Sequence, residues 1–389
     1  MKNNPLKQLG TLGQSIWLDY LHRKLLTDFG LKRLIEGDGL RGVTTNSSIF
    51  EKAIAGSHEY DEDIRYMTLE GNDIKEIYEA LTIGDVQRAA DEFRPLYDKT
   101  GGKDGCVTLE VNPHLAYQTK ATIEEARRLW VALNRPNILI KVPATAEGLP
   151  AIRQLISDGI NVNATLLFGL PRYRQVAEAY LAGLEARLIQ RKPLAPVASV
   201  ASFSVSRIDS HIDAQLEKII KQGGEKAELA IKLHGQVAVA SAKLAYQMYK
   251  EIFSGERFIN LAAHGARSQR LLWASTGTQN PYYSDVKYIE ALIGPETINT
   301  APLETLEAYR DHGDPKSRLL QEPKAAVWIL DQLPKLGIYL DEAVRQLEAE
   351  GIEKFMTSFD KLTDTLTLAI SRYRREKPMK GASSRVAAG

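Results

Sequence analysis

Short runs of β-branched and apolar residues alternate along this chain with longer stretches in which apolar positions recur every three or four residues. The short runs cover residues 14–19 (QSIWLD), 41–46 (RGVTTN), 106–111 (CVTLEV), 137–142 (NILIKV), 160–167 (INVNATLL), 197–204 (VASVASFS), 270–275 (RLLWAS) and 297–300 (TINT). The intervals carry helical periodicity, as in 123–133, 171–190 and 226–252. Strand and helix in alternation predict parallel strands joined by crossover helices, an α/β fold. A doubly wound sheet satisfies the same alternation. No G-x-G-x-x-G turn follows the first strand and no G-x-x-x-x-G-K-[ST] loop is present, so an eight-stranded (β/α)8 TIM barrel is the preferred reading.

From about Ala301 onward the strands stop and the pattern is helical, through 304–309, 324–333, 339–350 and 352–375. These additional C-terminal helices are expected to wrap the barrel within one domain, 1–375. Whether they mediate a homodimer or close the bottom of the barrel is open. Residues 376–389 are small, polar and basic, without periodicity, and are expected to form a disordered tail.

Composition narrows the function classes. With 389 residues, 44% hydrophobic and 25% charged, the chain can bury a large core. Its 50 basic and 49 acidic residues leave no bulk field to draw it onto nucleic acid or an anionic membrane, so any anion must be held locally. No stretch approaches the roughly 20 apolar residues of a membrane span, and the N-terminus MKNNPLKQLG lacks an apolar export segment. The single cysteine, Cys106, rules out an internal disulfide and a zinc or redox dithiol pattern, which suits a reducing cytoplasm.

Candidate chemistry sits at the strand ends, which converge at one face of a barrel. Lys141 is flanked by Ile138, Leu139, Ile140, Val142 and Pro143. An inward-pointing amine there would be desolvated, and desolvation disfavours the charged form and frees a lone pair to attack a carbonyl. The alternative is a strand-end lysine that reaches to solvent. Asp19 ends the first run, Glu110 interrupts the third, and Asn163 and Thr165 share one face of the fifth. Two carboxylates around a lysine suit acid/base work on an imine. Glu110 could instead be a buried salt-bridge partner of Lys141, and Asp19 a helix N-cap before LHRKLL. Arg207, just past the sixth run, could hold a sugar phosphate by paired hydrogen bonds, or pair with Asp209 or Asp213. Ser275 ends the seventh run, and the Thr276-Gly277 loop after it offers backbone N–H groups to an anion, where barrels commonly bind phosphate.

The segments QSIWLDY, GVTTNSSIF, VTLEVNP, ILIKVPAT, INVNATLLF, SFSVSRID and WASTGTQNP resemble the transaldolases, in particular their longer bacterial branch, over about residues 6–374. The resemblance implies a class I aldolase barrel that needs no metal or organic cofactor. It implies transfer of a dihydroxyacetone unit from sedoheptulose 7-phosphate to glyceraldehyde 3-phosphate, giving erythrose 4-phosphate and fructose 6-phosphate. By motif position Lys141 would be the Schiff-base lysine and Asp19 the base for the C4 hydroxyl. Glu110 would be an acid/base acting through a water that Thr165 helps to hold. Asn46, Asn163 and Ser202 would bind the dihydroxyacetone portion.

Two segments depart from the shorter members of that family. Where an arginine is expected shortly after Ser275, Thr278 and Gln279 stand, leaving Arg270 or Lys287 as candidates to replace it. Ser204 occupies a position where an aromatic is common. Some relatives in the longer branch are fused ahead of a glucose-6-phosphate isomerase, so work beside such an enzyme is open. A phosphosugar isomerase would need a similar pocket without an imine-forming lysine. A sugar-phosphate-binding barrel without activity would not need Lys141, Asp19 and Glu110 together.

Overall fold

The computed structural model describes residues 4–375; the expected tail at 376–389 lies outside the described residues. Eight parallel strands close into a barrel in chain order: β1 (Gln14–Leu18), β2 (Gly42–Val43), β3 (Cys106–Glu110), β4 (Ile138–Pro143), β5 (Val162–Leu167), β6 (Ser199–Ser204), β7 (Arg270–Ala274) and β8 (Thr297–Ala301). β8 returns to β1 with Ala301 opposite Leu18, which completes the ring. Each of the eight sequence runs corresponds to one strand.

β2 is shorter than its sequence run for a local reason. The Thr44 amide still bonds the Leu18 carbonyl, but the Thr45 amide is taken by the Thr108 hydroxyl at 3.1 Å and leaves the ladder. Asn46 then caps the helix Ser47–Ala55, accepting the Ile49 amide at 3.0 Å. Two longer expectations change as well. The stretch 226–252 is two helices, Glu225–Leu233 and Val237–Phe253, because the buried Asp213 and Asp209 capture the Gly235 and Ala238 amides between and at the start of them. In contrast, 339–350 and 352–375 run on as one helix, Leu340–Arg375, straight through Gly351.

That helix does not close the bottom of the barrel. Its Phe355 ring lies 5.2 Å from the Lys141 ammonium, and its Ser358 hydroxyl bonds Ser48 at 2.7 Å, so it crosses the end of the barrel where the strands finish. The interval between β2 and β3 holds the helices Asp61–Leu69 and Ile74–Lys99 as well. The second opens on a reciprocal capping box between Asp73 and Glu76.

Alternation along the strands sorts the barrel interior into three layers. The middle layer is apolar: Trp17, Cys106, Leu139, Val200, Leu272 and Ile298 form a buried cluster separate from the main core. Gly42 makes room for it, since a Cβ there would sit 2.5 Å from the Trp17 indole and 2.7 Å from the Cys106 carbonyl. Two residues earlier on three of these strands are Ser15, Asp104 and Arg270, which form the floor. Two residues later come Asp19, Thr108, Lys141, Ser202, Ala274 and Thr300, which face the mouth.

Candidate active site

The mouth layer opens into a cavity of about 470 Å3 whose wall includes Asp19, Thr44, Asn46, Lys141, Thr165, Ser202, Arg207 and Ser275. The strand register brings its members side by side, with Glu110 opposite Lys141 and Lys141 opposite Asn163. Lys141 is only 6% exposed, so it does not reach to solvent. Its Nζ donates to the Thr45 carbonyl at 3.2 Å and lies 3.8 Å from Glu110 Oε1, an ion pair too long for a hydrogen bond. The salt-bridge alternative for Glu110 therefore holds as geometry, with Lys141 in the cavity wall and Glu110 behind it.

Both Glu110 oxygens are buried without a hydrogen-bond donor among the described residues. Burial pushes the carboxyl above its usual range, and the Lys141 charge opposes that rise. A buried acid with free lone pairs beside an amine can take or give a proton. Glu110 is not in the wall of the first cavity; it faces a second, largely apolar one with Tyr78, Leu109 and Phe359.

Asp19 is half-buried in the cavity wall. It accepts the Thr44 hydroxyl at 2.8 Å, and Thr44 in turn shares a 2.7 Å hydrogen bond with Thr300. Burial pushes its carboxyl up as well, with the Lys141 charge and the Thr44 hydrogen bond pulling back. Asp19 does not cap the next helix; His22 does, its ring nitrogen accepting the Lys24 amide.

Asn163 lies just below the wall. It accepts the Ser202 hydroxyl at 2.6 Å while its amide nitrogen, fully buried, has no partner among the described residues. Asn46 uses its oxygen as the helix cap and keeps its NH2 for the cavity. The wall is strained at two points: Leu166, beside Thr165 where the β5–β6 register shifts, and Ser275 have left-handed φ angles of 56° and 53°. Such strain commonly marks functional positions.

Arg207 opens the helix Ser206–Gln222 and points at the cavity. Neither aspartate expected as its possible partner takes it. Asp209 binds Lys287, Tyr288 and the Ala238 amide, and Asp213 binds Tyr283 and the Gly235 amide. Arg207 has no hydrogen bond or ion pair among the described residues, and burial holds its pKa below the usual arginine value, with the charges of Asp19 and Glu350 opposing.

Neither substitute for the missing arginine reaches the cavity. Arg270 lies in the floor, bonded to Ser15, Asp104 and the Lys103 and Thr297 carbonyls. Lys287 is held by Asp209 at 3.0 Å and stacks over Tyr283 at 3.6 Å. Sequence reading missed Thr44, Thr45 and Thr300, although the threonine pair between Val43 and Asn46 was a legible signal. It also missed Lys52, Lys354 and Phe355 in or over the cavity; nothing in the periodicity of the C-terminal helix marks the last two as facing a site.

Comparison with known proteins places the chain in a family. The family model for transaldolase/fructose-6-phosphate aldolase matches residues 16–366. A transaldolase of Trichodesmium erythraeum is 45% identical over 372 residues, covering 94% of this chain and 97% of its own length. Transaldolases of Thiobacillus denitrificans and Acidothermus cellulolyticus are each 46% identical, covering 92% and 96% of this chain and 98% and 99% of themselves. The chain belongs to the transaldolase/fructose-6-phosphate aldolase family.

Proposed function

We propose that this family member catalyses the transaldolase reaction, moving a dihydroxyacetone unit from sedoheptulose 7-phosphate to glyceraldehyde 3-phosphate through a Schiff base on Lys141. One observation carries the reading: an amine in a buried polar layer, beside one buried carboxyl with no other partner among the described residues and near a second whose own pKa is raised.

In the mechanism, neutral Lys141 attacks the C2 ketone to give a carbinolamine. Glu110, through a water held with Thr165, delivers the proton with which the C2 oxygen leaves as water. The iminium that remains is an electron sink. Asp19 takes the C4 hydroxyl proton, the C3–C4 bond breaks, and erythrose 4-phosphate departs. The bonding electrons stay as an enamine on Lys141. That enamine attacks the aldehyde carbon of glyceraldehyde 3-phosphate, Asp19 returns its proton to the new alkoxide, and hydrolysis releases fructose 6-phosphate.

Asn46, Asn163 and Ser202 hold the hydroxyls of the tethered unit. Arg207 takes the substrate phosphate, with the loop after Ser275 beside it. Protonation of the enamine by water would release dihydroxyacetone and turn transfer into simple cleavage, so these contacts govern outcome as well as affinity. All the groups named come from one chain, so the proposal needs no partner subunit, and a cytoplasmic setting suits its single buried thiol.

The test is intact-mass measurement after incubation with fructose 6-phosphate and borohydride, followed by peptide mapping. A dihydroxyacetone or ketose-phosphate adduct on Lys141 is expected. Confirmed binding with no adduct would instead favour isomerase or binding-protein behaviour.

A further inference from the structure

Three cations in the cavity wall have no hydrogen bond or ion pair among the described residues: Lys52, Arg207 and Lys354. They come from three elements, the helix Ser47–Ala55, the helix Ser206–Gln222 and the C-terminal helix Leu340–Arg375.

The packing that brings them together is specific. At Gly351 a Cβ would lie 2.8 Å from the end of the Leu166 side chain and 3.3 Å from the Arg207 guanidinium, so the glycine lets the helix approach the end of β5 and Arg207 without displacing either side chain. Lys354 and Phe355 follow on the same helix face, three and four residues on. One turn further, Ser358 bonds Ser48, four residues before Lys52 on the facing helix. The two lysines thus flank a contact that locks the helices together. Burial, then Arg207, then Lys52, push the Lys354 amine down from its usual pKa, as expected of like charges held near one another.

We infer that Lys354 and Lys52 complete a phosphate clamp with Arg207, so that the C-terminal helix supplies charge that the loop Thr278-Gln279 does not. The ligand class is the phosphate monoester terminus of an open-chain sugar phosphate whose carbonyl end reaches Lys141. This rests on the reading proposed above for the reaction. It gives the helix a part in substrate recognition, and it explains why three cations converge here without an ion pair among the described residues, although Asp19 and Glu304 share the cavity wall.

The test has two arms on the full chain. In the first, isothermal titration with inorganic phosphate at fixed ionic strength compares the unmodified protein with Lys354→Met and Lys52→Met. Methionine keeps most of the stem and removes the charge. Each variant is expected to bind phosphate about tenfold more weakly, the worth of one charged hydrogen bond. Unchanged phosphate affinity in both variants would overturn the clamp, whether or not the protein turns over. In the second, the ratio of kcat/KM for glyceraldehyde 3-phosphate to that for glyceraldehyde is measured. It is expected to fall by a similar factor in each variant. An equal loss on both acceptors would mean that the lysines act on the fold alone. Borohydride trapping with unphosphorylated dihydroxyacetone reports Lys141 separately, so loss of the clamp and loss of the Schiff-base reading are distinguishable.

Discussion

At the floor of the barrel three donors, Ser15, Arg41 and Arg270, surround one buried carboxylate, Asp104, at 2.6, 3.1 and 3.3 Å. At the mouth, two layers up, Glu110 has both oxygens uncommitted, Asn163 has a free amide and Arg207 has no partner among the described residues. The same eight strands carry both arrangements. Buried polar groups are ordinarily satisfied, and the floor follows that rule apart from the Arg270 Nε, while the mouth departs from it at adjacent positions. The difference separates charge that holds the closed sheet together from charge left available for a ligand.

The comparison breaks most sharply at Lys141. Lys141→Ala is expected to lower kcat by about 10⁴-fold or more and to abolish borohydride trapping. The melting temperature should move by no more than about 3 °C, because Glu110, already pushed up by burial, can take a proton when its partner is lost. Normal turnover in this variant would end the Schiff-base proposal.

Asp19→Asn should cost about 10²- to 10⁴-fold in kcat, yet still form the iminium. Trapping that fails alongside turnover would move Asp19 from the cleavage step to an earlier one.

At the floor the effects should invert. Asp104→Ala leaves Arg270 and Arg41 without their shared carboxylate and should cost about 3–5 kcal/mol of stability by denaturant titration. The kcat of the remaining folded protein should stay near its original value. A loss of kcat without a loss of stability would erase the distinction between the two ends.

The smallest effect concerns pH. Because burial raises the Asp19 pKa, the acid limb of kcat/KM should lie above the usual carboxylate range. The Thr44 hydroxyl stabilises the charged form and so lowers that pKa. Removing it in Thr44→Val should raise the pKa further and move the limb to higher pH, leaving the alkaline side in place. A shift to lower pH would mean that another group sets the limb.

Much of this was legible beforehand because both signals are periodic. A strand buried on both faces reads as a short apolar run, and polar residues interrupting it at two-residue steps, such as Asn163 and Thr165, must share a face. What escaped sequence reading depends on contacts between distant segments. That Arg270 points to the floor follows from its parity with Leu272, but only the closed barrel shows Asp104 waiting there. Lys354 reads as one charge among many on a polar helix; its position over the cavity is set by how the helix lands on Leu166. The extent of β2 turned on a single hydroxyl, Thr108, which no pattern announces.

Cys106 sits in the middle layer between floor and mouth, 5% exposed, its thiol pushed up to about 12 by burial and the nearby Asp104. Thiolate is the reactive form, so in the closed barrel this sulfur is both shielded and chemically quiet. It is also the only thiol in the chain. It borders a cavity of about 270 Å3 at the floor end, with Trp17, Leu139 and Arg270. The protein therefore carries a built-in gauge at one position: the rate at which an alkylating reagent modifies this thiol reports how often that end of the barrel admits it, without any label having been added.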